Sequence, residues 1–336
     1  MKNSTGNLLR LVSGVMLCLM TLGAASVQAE TLRINAGYWP GDLDSDLEAR
    51  FYDDDLFTVT GGSLAIGRLN NDWQNKHTDT VYPLGLEFFL PLGPGDIVLG
   101  GNFYTYRPDY SYTGIGLLQV SSIELMDYRM DHWESFAGYR YGVVPETFYV
   151  TARAGIRQTI TSFSRQEFTA GASGTALVTL DSSFYASARG TYLGVGFQYY
   201  FMPGLSVLAD LDWTPIFLPG WTGTLSSEEL IAGLGSGTPT LFYQSASAGY
   251  KVEIIRLAVG LQYDILPELH LAVGVRSETL RQSYPDYYNV PISISGGVAS
   301  PTFTLVEYIT DRAIYEREAD QTKGLVFLLL SYDLNF

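Results

Sequence analysis

Hydrophobic and polar residues alternate along most of this chain. In LVFLLLSYDLNF, residues 325–336, the even positions Val326, Leu328, Leu330, Tyr332, Leu334 and Phe336 are all apolar. Ser331, Asp333 and Asn335 lie between them toward the end. A period of two marks a β-strand with one apolar face. The same pattern runs through Ile255, Leu257, Val259, Leu261 and Tyr263, and resumes at Leu271, Val273 and Val275. It recurs in Leu193, Val195, Phe197, Tyr199 and Phe201, then in Leu205, Val207, Ala209, Leu211 and Trp213. Two further pairs of segments follow it: 133–141 with 148–156, and 82–88 with 97–103.

Short Pro-containing stretches separate the members of each pair: LPLGPGD (90–96), VVPET (143–147), FMPGL (201–205) and ILPEL (265–269). Pro and Gly cannot continue a central strand, so these are turns. The connections at the opposite ends, 109–122, 164–183, 218–243 and 285–322, are long and polar. Short turns on one side and long excursions on the other are the layout of a transmembrane antiparallel β-barrel, with short periplasmic turns and long extracellular loops. Tyr141, Phe148, Tyr199, Phe201, Tyr263 and Phe336 gather on the turn side, as an interfacial aromatic girdle would. Nine strands are visible from residue 77 onward and TLRINAGY (31–38) makes ten. Pairing 46–52 with 63–70 would give twelve, although the acidic run Asp53–Asp55 beside them favours a loop or lumen insert.

Composition narrows the class further. Lys2 and Arg10 precede an apolar stretch from Leu11 to about Leu22, and VQAE offers a cut after Ala29, so residues 1–29 read as a secretory signal peptide. The single cysteine, Cys18, falls inside it, leaving residues 30–336 as one barrel domain with no disulfide and no thiolate metal site. That mature portion carries 18 basic against 35 acidic side chains, a formal charge of −17. Such a surface excludes a nucleic-acid partner. After residue 29 no stretch reaches 18 apolar residues, so a membrane helix is not expected.

With these features the chain resembles bacterial outer-membrane β-barrel proteins across the whole mature architecture. In that class a terminal Phe preceded by alternating apolar or aromatic residues, here Tyr332, Leu334 and Phe336, is the signal read by the barrel-assembly machinery. The resemblance implies that machinery, outer-membrane lipid and lipopolysaccharide as partners, and residence in the bacterial outer membrane.

If the alternating apolar residues face lipid, the residues between them face the lumen. Glu87, Glu134, Arg140, Arg153, Arg157, Asp210, Asp212, Arg256, Arg276 and Glu278 are then lumen charges. Strand parity around ILPEL opposes Arg256 to Glu278 and Asp264 to His270. Around VVPET it sets Glu134 diagonal to both Arg153 and Arg157. Around FMPGL it places Asp210 and Asp212 across from Gly196 and Gly194, with space over the carboxylates. Such a cluster is either a constriction selecting a small solute or a salt-bridged filling that stiffens a narrow barrel.

The expected function is therefore a narrow or plugged channel passing or binding small solutes, or else a structural or adhesive barrel acting through its surface loops. An omptin-like protease is the remote third reading, because omptins are ten-stranded barrels of similar size with an Asp pair and a His–Asp pair at the rim. Asp131 and His132 are sequence neighbours and so point to opposite faces of a strand. His77 and Asp79 share a face, but their order is the reverse of the omptin Asp-x-His. The chain is accordingly not expected to be an enzyme. No cofactor motif stands out: GLGSG (233–237) reads as a loop hinge. The run Asp53–Asp55 reads as a solvated acidic stretch, with calcium ligation as the alternative. Residues 284–288, YPDYY, read as outer-girdle aromatics, with a glycan-stacking or host-contact role as the other reading.

Overall fold

Apolar residues at every second position, Pro–Gly turns and an absence of helical periodicity produce an almost entirely β structure. The computed structural model describes residues 30–45, 76–107, 110–115, 119–171, 177–215, 221–235, 238–286, 288–295, 298–299 and 319–336. The strands are β1 (Thr31–Ser45), β2 (Lys76–Val81), β3 (Leu84–Leu92), β4 (Gly95–Tyr106), β5 (Tyr110–Ile115), β6 (Gln119–Val144), β7 (Phe148–Gly171) and β8 (Leu177–Met202). They continue with β9 (Leu205–Trp213), β10 (Trp221–Gly235), β11 (Thr238–Leu266), β12 (Leu269–Ser283), β13 (Tyr288–Ser295), β14 (Val298–Ala299) and β15 (Ala319–Asn335).

Ten of these strands close a ring of antiparallel neighbours: β1, β3, β4, β6, β7, β8, β9, β11, β12 and β15. The closing ladder runs from Thr31 opposite Asn335 to Ser45 opposite Gln321. Closure leaves no unpaired edge to face lipid, the condition for a sheet to span a bilayer. The ten-strand expectation holds; the segments 46–52 and 63–70 on which twelve depended lie outside the described residues, as do residues 1–29 and Asp53–Asp55.

The four short turns are where the sequence places them. Ladders end at Leu92–Gly95, Val144–Phe148, Met202–Leu205 and Leu266–Leu269. Gly93 (φ 61°) and Gly204 (φ 73°) supply the left-handed backbone that two of them need. Pro83 interrupts what would otherwise be one strand, separating β2 from β3, and Gly37 N–H is left to donate to Pro83 O at 2.9 Å.

At the far end the structure differs from the expectation of polar loops. β6, β7, β8 and β11 contain 26, 24, 26 and 29 residues. A tilted spanning strand needs only about 9–11. Most of 109–122, 164–183, 218–243 and part of 285–322 is therefore strand that continues past the bilayer. There β10 inserts between β8 and β11, β5 pairs with β6, and β13 pairs with β11. These segments read as loops because Ser, Thr and charged residues occupy many of their outward positions, although Tyr185, Leu230, Leu241, Tyr243 and Ile292 are exposed there as well. Their inward positions carry the core: Tyr128, Met130, Phe163, Phe184, Ala186, Ala188, Ala246, Ala248, Tyr250 and Val252 are all buried. Phe163 is stacked between Tyr128 (5.5 Å) and Phe184 (4.7 Å). Gly233–Gly235 end β10 rather than forming a hinge, and Tyr284 is buried, stacked on Tyr250 at 5.5 Å, while Tyr288 is exposed.

Candidate functional site: the charged lumen

Face assignment follows strand parity throughout the membrane-spanning part. Ile255, Leu257, Val259, Leu261 and Tyr263 are exposed on the outside, Ile255 at 61%, whereas Arg256 between them is 5% exposed. Val326, Leu328, Leu330, Tyr332 and Phe336 are likewise exposed outside. Tyr141, Tyr199, Phe201 and Tyr263 are exposed near the turns, and Phe148 packs edge-on against Tyr199 at 6.3 Å. An exterior that is apolar all round, with charges inside, reverses the arrangement of a water-soluble barrel.

The inside gathers eight of the ten charged positions into one layer. Arg157 on β7 pairs with Glu134 on β6 through Nη2 at 2.6 Å and with Glu278 on β12 through Nη1 at 3.2 Å. Arg256 on β11 pairs with Glu134 at 3.1 Å, and its Nε donates to Asp212 on β9 at 2.5 Å. Arg153 links Asp212 (2.9 Å) to Asp210 (3.0 Å). Arg276 Nη2 reaches Glu278 at 3.1 Å. Arg157 and Asp212 are 0% exposed, Glu278 1% and Glu134 3%. A buried ion pair is tolerable only when its remaining donors and acceptors are also met. Asn102 accordingly donates to Glu134 Oε1 at 2.9 Å, and Tyr104 OH donates to Glu278 at 3.1 Å.

Two details differ from simple parity. A β-bulge between Gly142 and Val144 shifts the β6–β7 ladder, so Glu134 lies directly opposite Arg157 rather than diagonal to it, and Arg153 faces Gly138. Asp210 and Asp212 do oppose Gly196 and Gly194, but Arg153 occupies the space over them. Arg256 opposite Glu278 and Asp264 opposite His270 are as expected.

The other two positions sit nearer the turns. Glu87 opposes Arg33, which forms a two-pronged pair with Asp333 (2.7 and 2.8 Å). His270 lies between Asp264 (2.7 Å) and Asp333 (3.1 Å), so this lower row ties the first strand, the last strand and the β11–β12 hairpin together. Arg140 is also here, donating to Gln198 Oε1 and lying over the Tyr149 ring at 4.0 Å.

Lys323 and His132 belong to the main layer although strand reading did not select them. Lys323 Nζ is 2.8 Å from His132 Nε2 and 3.4 Å from Glu278 Oε1, and His132 Nδ1 is 3.0 Å from Thr159 Oγ1. An ammonium only donates, so the geometry assigns the His132 proton to Nδ1. The signal for Lys323 was its odd parity with Ser331 and Asp333, blurred because Leu325, Phe327 and Leu329 make β15 apolar on its inner face too. Asp131 turns outward to Arg129 (2.8 Å) and Thr105 (2.8 Å), so it and His132 do not meet. His77 and Asp79 lie on β2, and their side chains are not described. No helix among the described residues is long and apolar enough to cross a membrane, which leaves crossing by strands open.

An antiparallel ring with an apolar, aromatic-margined exterior and a charged interior is a β-barrel of the bacterial outer-membrane class. No family model matches the sequence, and no curated protein matches it. Among solved structures the chain is similar to the outer membrane protease OmpT from Escherichia coli, with 8% identity over 92% of this chain and 98% of that chain and a TM-score of 0.42. It is also similar to the Pseudomonas putida toluene transporter TodX, at 10% identity over 94% and 91% of the two chains with a TM-score of 0.34. A third is Ail, the attachment invasion locus protein of Yersinia pestis, at 12% identity over 60% and 95% with a TM-score of 0.27. Likenesses this distant assign no activity and no residue to this chain.

Proposed function

We propose that this is an outer-membrane surface barrel whose lumen is a plug, and that its working surface is the β extension carried beyond the membrane. The observation that supports this reading is the ionic layer. Glu134 and Arg256, and Arg157 and Glu278, join strands on opposite walls, so the bridges run across the lumen instead of lining it. Above them Tyr106, Met130, Tyr128 and Phe163 fill the interior with apolar side chains. A channel for small solutes would need these buried pairs to part, at a cost of several kcal/mol for each ion stripped of its partner. The extension has its own aromatic core and an outer face that mixes polar residues with exposed Tyr185, Leu230, Leu241, Tyr243 and Ile292, a rigid platform suited to contacts at the cell surface.

The test is single-channel recording on purified protein refolded into planar bilayers. The plug predicts no steady conductance at neutral pH. Stable, voltage-independent open events from the wild-type protein would overturn it in favour of a solute channel.

A further inference from the structure

On the outward face of the extension, β10, β11 and β13 lie side by side. Leu230 opposes Tyr243 and Tyr243 opposes Ile292, so the three form one row across the strands. The next row is Ala232, Leu241 and Ile294. Residues opposed across a ladder point to one side of the sheet. Leu230, Tyr243, Ile292, Leu241 and Ile294 are 37–49% exposed, so they make one contiguous apolar patch. On a face bathed in water, such a patch marks an interaction surface. It stands clear of lipid. The apolar band of the wall ends on β11 at Ile255, and Glu253 and Lys251 form an exposed pair (3.4 Å) just beyond it. Tyr243 lies twelve residues past Ile255 along β11. That places it roughly 25–30 Å further out for a strand tilted by about 45°.

We infer that this patch is where a second copy of the chain docks, side by side in the same membrane. The inference deepens the proposed function, since it rests on the extension beyond the bilayer being the working surface. A barrel held by its apolar wall keeps one orientation, so neighbouring copies differ only by rotation about the membrane normal. The patch is then at the same height in every copy. A two-fold axis along the normal brings it against itself in a closed, isologous contact. Its layout suits that operation. Tyr243 and Leu241 on the middle strand are flanked on both sides by apolar residues, so rotation about an axis through β11 sets apolar against apolar. The nearest described carboxylates, Asp181 on β8 and Glu228 on β10, lie to one side of β11. Rotation therefore carries the two copies' carboxylates to opposite flanks, where they do not face their own kind. Copies held upright in one membrane have also lost much of the freedom that association in solution costs, so the contact needs less buried area.

The test uses the full chain in intact outer membranes. No cysteine follows Cys18, so Tyr243→Cys places a single thiol at the centre of the patch. A short bis-maleimide should join it into a product of twice the mass. Gln166→Cys, exposed three strands away in the same row, should not be joined. In density-matched detergent, sedimentation of the wild type should show a monomer–dimer equilibrium. Leu230→Glu combined with Ile292→Glu should weaken it by about tenfold or more, because the contact would bury unpaired carboxylates. Both positions are exposed, so the variant should fold, which its heat-dependent migration in SDS checks. Labelling of Tyr243→Cys by a soluble maleimide with no joined product would overturn the inference, because the face is then open. Protection from that maleimide with no joined product would overturn it too, because lipopolysaccharide or a different protein then covers the face. So would a dimer that the double variant leaves unchanged. Steady conductance would remove the plug without touching these readouts, whereas a silent bilayer with no joined product would remove only the second copy.

Discussion

Arg256 and Glu134 are 122 residues apart in sequence, on opposite walls of the barrel, and their side chains meet at 3.1 Å. Glu134 is in turn held by Arg157 at 2.6 Å, so this one carboxylate stands between two buried guanidinium groups. Replacing Glu134 with Gln keeps the volume and removes the charge. Two cations would then face each other in a dry interior, and unfolding free energy should fall by roughly 3–5 kcal/mol. The control is Glu253→Gln, whose pair with Lys251 (3.4 Å) is about half exposed on both sides. It should change stability by less than about 1 kcal/mol. Urea midpoints of the two variants in the same detergent check both values, and similar losses would mean the lumen is wet.

Glu278→Gln tests the same layer from the other wall. Glu278 receives Arg157, Arg276, Lys323 and the Tyr104 hydroxyl, and it is 1% exposed. A plug predicts a stability loss again of roughly 3–5 kcal/mol, with no change in ion preference because no current flows. A constriction in an open pore predicts the opposite: altered reversal potential and little loss of stability. Bilayer recordings and unfolding midpoints on this variant separate the two.

Gly194 faces Asp212 across the β8–β9 ladder. A β-carbon there would crowd the Asp212 carboxylate and stand 2.7 Å from Arg153 Nε. Gly194→Ala should therefore push Arg153 off Asp212 and cost about 1–3 kcal/mol through overpacking. A thermal melt that matches wild type would show that Arg153 has room to move aside.

The extension should behave as a cooperative unit distinct from the spanning wall. Phe163→Ala removes the middle ring of the Tyr128–Phe163–Phe184 stack, a change that typically costs about 3–5 kcal/mol in a packed core. Because stability is not uniform along a structure, the loss should appear as protease cleavage within the extension. The barrel itself should still resist SDS in the cold and migrate differently once boiled. Loss of that heat-dependent shift would instead mean that extension and wall unfold together.

Asp333→Asn weakens the lower row at the closing seam, where Asp333 holds both Arg33 and His270. The temperature at which the folded form disappears in SDS should fall. Arg33→Ala should lower it less, because Asp333 keeps His270. The reverse order would place the main clamp on Arg33 and its neighbour Glu87.

Much of this architecture is local information. The period of two, the four Pro-containing turns and the parity of Arg256 between Ile255 and Leu257 determine which residues form strands and which face is apolar, since side chains alternate by geometry alone. Pairing at the ILPEL turn follows from that parity and a short turn, and so do the Arg256–Glu278 and Asp264–His270 oppositions. What the sequence could not determine depends on distance and on the second face. The Gly142–Val144 bulge inserts a residue without disturbing the alternation around it, so only the folded ladder shows Glu134 directly opposite Arg157. Ser, Thr and charged residues scattered among exposed Tyr185, Leu230 and Leu241 blurred the alternation and made the extension resemble loop, and its inward aromatics were explained only once they had one another to pack against. Above all, alternation says that Glu134, Arg157, Arg256 and Glu278 point inward but not how far inward. Only the closure of ten strands into a narrow ring brings charges from opposite walls within 3.2 Å of each other and turns a list of lumen residues into a crossbar.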